Sequence, residues 1–94
     1  MKFWRRRARG PRRLEMRQAC QILYRGGVLV SAGPVWAAYR TDDTRRMRIG
    51  VVPDALAEQL ESRGLAQRLS TVPRRLVAGP SLDAQALAAA FASD

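Results

Sequence analysis

Residues 51–77 read VVPDALAEQLESRGLAQRLSTVPRRLV, and they carry the most structural information in the chain. Pro53 suits the first position of a helix, and Asp54 complements the positive end of the helix dipole. Leu56 and Leu60 lie four residues apart and form an apolar stripe. Arg63 falls in the last turn, Gly64 just beyond it, and Leu65 stands where a glycine-capped helix end makes its hydrophobic contact. A helix over 53–63 follows. Beyond it, AQRLS at 66–70 and RRLVA at 74–78 flank Thr71-Val72-Pro73, the pattern of a short hairpin.

On the N-terminal side, RRLEMRQACQILYR at 12–25 places Met16, Ala19, Cys20 and Leu23 on one helical face, and Gly26-Gly27 stops that helix. VLVSAGPVWAAYR at 28–40 is rich in strand formers and broken by Ala32-Gly33-Pro34, which predicts strands at 28–31 and 35–40. After the polar turn 41–44, Arg46-Met47-Arg48-Ile49 alternates basic with apolar. A half-buried strand at 46–51, antiparallel to 35–40, is expected there. On the C-terminal side Gly79-Pro80-Ser81 breaks the chain. Ser81 or Asp83 can cap a last helix at 82–91, with Leu87 and Phe91 on one face.

The expected fold is therefore α+β, in the order helix, strands, helix, hairpin, helix. The stretch 51–77 resembles winged-helix domains of the helix-turn-helix superfamily. In those domains a leucine-striped helix ends at glycine-leucine, as Glu61-Ser62-Arg63-Gly64-Leu65 does here, and two strands joined by a basic wing follow, as with Arg68, Arg74 and Arg75. The resemblance covers about a third of the chain. Between 28 and 52, where such domains usually place a second helix, this chain reads as strands. The division it implies is a flexible basic arm at 1–11 and a single winged-helix-like domain at 12–94, and the function it implies is DNA binding.

Charge points the same way. The 94 residues hold 17 basic and 8 acidic side chains, a net charge of +9, and the excess is uneven. Residues 1–17 carry Lys2, Arg5, Arg6, Arg7, Arg9, Arg12, Arg13 and Arg17 against Glu15 alone. Residues 18–94 are close to balanced. So dense a cationic arm resists compaction by itself. Arginine, which forms all but one of the basic residues, favours forked contacts to phosphate; a coding bias toward arginine accounts for the same fact equally well. Arg45, Arg46 and Arg48 form a second cluster, and Arg74-Arg75 a third at the wing. The expected nucleic-acid contacts are thus Lys2, Arg5, Arg6, Arg7, Arg9, Arg12, Arg13, Arg45, Arg46, Arg48, Arg68, Arg74 and Arg75, made mostly to the backbone of duplex DNA. The helix 53–63 carries Asp54, Glu58 and Glu61 against Arg63, so base readout is not assigned to it.

Two other readings compete with a transcription-regulatory DNA binder. One is a protein-binding adaptor that joins RNA polymerase or a DNA-bound regulator through Leu82, Leu87 and Phe91, the arm only assisting. The other is membrane-surface binding by the arm, for which Phe3 and Trp4 are its only apolar anchors. No enzyme, metal or cofactor is expected. The chain has no histidine, one cysteine, and a single adjacent carboxylate pair, Asp42-Asp43, in a polar turn. Cys20 lies on the apolar face of its helix and is read as a buried small hydrophobe. The chain has no secretory signal pattern and no membrane-length apolar run, and with a lone cysteine a cytoplasmic setting is expected.

Overall fold

The computed structural model describes residues 12–41, 43, 45 and 47–92. The chain is an α+β domain of three helices and a five-stranded antiparallel sheet. Its elements are α1 (Met16–Tyr24), β1 (Val28–Ala32), β2 (Val35–Tyr39), β3 (Gly50–Pro53), α2 (Asp54–Ser62), β4 (Ala66–Leu69), β5 (Arg75–Ala78) and α3 (Ala84–Ala92). The sheet order is β3-β2-β1-β5-β4, so β1 is central and its hairpin with β2 is the longest pairing. The arm at 1–11 lies outside the described residues.

Side chains alternate across the sheet. Leu29 stands between Ala38 and Leu76, and Trp36 stands opposite Ser31 and Val52. This row packs with Ala19, Cys20 and Leu23 of α1 and Ala57 and Leu60 of α2 in the main core. Burial raises the Cys20 thiol above its ordinary pKa, with Arg63 opposing, which makes it the inert small hydrophobe its helical position implies. The glycine-capped end of α2 is present as well. Gly64 takes φ +73°, and the Leu65 N–H donates to the Leu60 carbonyl at 2.9 Å.

The bounds of the first helix and the third strand shift most from expectation, and the last helix begins at Ala84 rather than residue 82. The first helix begins at Met16, not residue 12, because residues 12–14 are drawn into the sheet instead. The Val51 N–H donates to the Arg12 carbonyl at 2.8 Å, and the Leu14 N–H donates to the Val51 carbonyl at 2.8 Å. This parallel bridge lies on the outer edge of β3 and delivers Leu14 into the core. Gln18 then closes the helix start, its Oε1 accepting the Glu15 N–H at 2.8 Å.

The third strand is displaced as well. It runs over Gly50–Pro53 rather than 46–51, because β2 pairs from Val35↔Pro53 to Ala38↔Gly50. Met47, expected to turn inward, is 90% exposed, whereas Ile49 is half-buried, its N–H donating to the Ala38 carbonyl. Proline supplies no N–H, and at the end of an edge strand none is needed. The apolar run Val51-Val52-Pro53 therefore forms the strand, and the helix starts one residue later than the proline suggested.

Gly50 permits the edge pairing. A Cβ there would stand 2.6 Å from the Arg12 carbonyl oxygen and 2.9 Å from Leu14 Cγ. Gly50→Ala is expected to lower stability by about 1–3 kcal/mol through overpacking, read as a lower urea midpoint; an unchanged midpoint would mean that residues 12–14 are not held there.

Candidate nucleic-acid interface

The register separates the basic residues into two groups. Val28 pairs with Tyr39, so Arg25, three residues before Val28, and Arg40, directly after Tyr39, meet at the same end of the sheet. Gly50 opens β3 at that end, which brings Arg48 and the edge residues Arg12 and Arg13 to it. The β4–β5 turn lies at the opposite end with Arg74 and Arg75, beside the Ala32–Val35 turn. Five residues of strand, at about 3.4 Å each, put roughly 17 Å between the two ends. Arg48 and the β4–β5 turn with Arg74 and Arg75 thus occupy different ends of the sheet.

At the first end α1, the edge segment and the end of β2 enclose a cleft of about 400 Å³. Its walls carry Arg12, Arg25 and Arg40, the carboxamides of Gln18 and Gln21, and the aliphatic side chains of Leu14, Ile22 and Ile49. Among the described residues none of the three guanidinium groups has a carboxylate partner. Arg25, Arg40, Gln18 and Gln21 were not among the residues expected from sequence. The signal was present in the helix–Gly-Gly–hairpin order, which puts the last turn of α1 beside the end of β2.

The expected residues fare differently. Arg12, Arg13, Arg48 and Arg74 are exposed, and Arg75 is half-buried. Arg45 pairs with Asp43 at 3.0 Å, and Thr41 Oγ1 accepts the Asp43 N–H, so Asp43 serves the turn. Lys2, Arg5, Arg6, Arg7, Arg9 and Arg46 lie outside the described residues. Arg68 is not a free cation. Its Nε donates to Glu61 Oε2 at 3.0 Å and its Nη2 to Glu61 Oε1 at 2.8 Å, while the guanidinium carbon lies 5.5 Å from the Trp36 ring centroid. The hydrogen bond to Glu61 raises its already high pKa further. Arg68, expected as a nucleic-acid contact, is thus engaged within the fold, where it joins α2, β4 and β2.

Asp54 also acts inward, since the Trp36 Nε1–H donates to Asp54 Oδ1 at 3.0 Å. Two of the three acids on α2 thus have partners within the fold. Leu82, expected in a protein contact, is 8% exposed and belongs to the core; Leu87 packs against that core, leaving Phe91 exposed at 42%.

Among the described residues no cluster of three or more histidine, cysteine or acidic side chains could hold a metal ion, and no helix is long and apolar enough to cross a membrane. No family model matches the sequence, and no curated protein or solved structure matches it.

Trp36 is 3% exposed, so loss of its acceptor strands a buried N–H. Asp54→Ala is expected to destabilise the domain by about 1–3 kcal/mol, whereas Glu58→Ala, an exposed acid on the same helix, leaves the urea midpoint nearly unchanged. Equal effects of the two would show that the indole contact contributes nothing.

Proposed function

We propose that the protein is a DNA-binding, transcription-regulatory module that holds the phosphate backbone through arginine. The observation that carries this reading is the convergence of Arg12, Arg25 and Arg40 on one cleft without a carboxylate partner among the described residues. Like charges gathered at one place repel, and a polyanion relieves that repulsion while releasing its condensed counterions. Arg48 and Arg13 extend the same end of the sheet. In the winged-helix-like form of the reading, β4 and β5 with their turn serve as the wing. The placement of β5 between β1 and β4, with Arg74 exposed beside the turn, supports that assignment. The wing, about a strand's length from the cleft, then reaches a separate stretch of backbone. Helix α2 does not read bases, because Asp54 and Glu61 face its own fold and Glu58 adds negative charge.

One observation favours the adaptor as a second reading. Helix α3, Ala84–Ala92, has no charged residue, and Phe91, Ala88, Ala89 and Ala92 are exposed on it.

The test is fluorescence anisotropy of a labelled duplex over 50–200 mM salt, an interval chosen at about the range where phosphate contacts show most strongly. Each lost contact flattens the slope of log K against log salt by about 0.9, so Arg25→Gln/Arg40→Gln is expected to flatten it by about 1.8 and to weaken binding. Phe91→Ser is expected to leave both quantities unchanged. Failure of the full chain to bind duplex DNA at 50 mM salt would overturn the reading.

A further inference from the structure

The cleft is more than a positive surface. Contacts to a duplex backbone need exposed cations on a face that meets a convex rod, and they use neither a concavity nor an apolar floor. Here two half-buried isoleucines, Ile22 and Ile49, and buried Leu14 line a hollow together with Arg12, Arg25 and Arg40. Its size lies near the lower end of the range for small-molecule sites, about 300–1,000 Å³. The two carboxamides are not equivalent. Gln18 Oε1 is occupied by the Glu15 N–H, which leaves its amide hydrogens for a ligand. Gln21 has no side-chain partner among the described residues and offers both a donor and an acceptor.

We infer that this cleft takes one unstacked nucleotide: its phosphate among Arg12, Arg25 and Arg40, its base against Ile22 and Ile49, and the base edge on the Gln21 carboxamide. The inference rests on the nucleic-acid reading above and specifies what part of the polymer enters the site. A glutamine side chain presents a donor–acceptor pair that matches a base edge, adenine best of the four. A base stacked within a duplex cannot enter such a hollow, whereas a bulged or single-stranded one can. An alkyl chain fits less well, because it would leave the Gln21 carboxamide desolvated and unpaired.

The experiment compares two labelled duplexes of one sequence, one blunt and one with a single bulged adenine, in anisotropy titrations of the full chain. The bulged duplex is expected to bind about tenfold more tightly, within the range of one bidentate base contact. Gln21→Leu is expected to bring its affinity down to the blunt level. Adenosine monophosphate and inorganic phosphate are then added as competitors. Displacement of the bulged duplex by the nucleotide but not by phosphate supports a site that also accepts free nucleotides. Displacement by neither, with the preference intact, supports a site that takes the nucleotide only within a strand. Equal binding of the two duplexes, or a preference that survives Gln21→Leu, overturns the inference and leaves the nucleic-acid reading standing. Binding of neither duplex overturns both.

Discussion

Two hydrogen bonds on the outer edge of β3 determine how the rest of the domain is arranged. Val51 donates to the Arg12 carbonyl and accepts from the Leu14 N–H, both at 2.8 Å. The pairing is possible because Gly50 has no side chain to keep the two backbones apart. It puts Leu14 into the core and holds residues 12–14 in extended form, so that α1 begins at Met16. It also covers one edge of the sheet, where unpaired backbone groups would otherwise invite another strand. The cleft follows from the same contact, since its three walls are the edge segment, α1 and the end of β2.

The charges divide into two classes according to what the fold asks of them. Glu61 and Asp54 are engaged by Arg68 and Trp36, and these contacts tie α2 to β4 and β2. Arg12, Arg25 and Arg40, at one end of the sheet, have no carboxylate partner among the described residues. Arg25 and Arg40 lie just outside the elements they follow, with their backbones set by α1 and β2 and their side chains exposed. An exposed ion pair contributes little to stability, usually under about 1 kcal/mol, so leaving these arginines without acidic partners costs the fold little. It does raise the local positive potential, which is the property a polyanion responds to.

Much of the fold was legible where local chemistry is self-sufficient. The end of α2 at Gly64-Leu65 and the turn at Gly33-Pro34 are specified by residues within a few positions of each other, and both are present. The start of α1 and the span of β3 were not legible, because each is decided by the other. Residues 12–14 have a helical pattern, and only the edge of β3 draws them into extended form. The site was legible as a class of side chain and not as a place. The sequence groups arginines by proximity along the chain, as at 45–48 and 74–75, whereas the sheet groups Arg12, Arg25 and Arg40, which lie far apart in sequence. Arg68 stands between exposed Gln67 and half-buried Leu69 in a basic hairpin, and nothing in that spacing reveals that Glu61 and Trp36 hold it.

The central claim is that the arginines of one cleft, rather than basic residues at large, meet the phosphate backbone. Arginine side-chain Nε–Hε resonances, followed by NMR while duplex DNA is titrated into the full chain, test it most directly. The account predicts that Arg12, Arg25 and Arg40 shift together at one saturation point, while Arg68 stays in place on Glu61. Shifts at Arg74 and Arg75 alone, with the three cleft arginines unmoved, would contradict it.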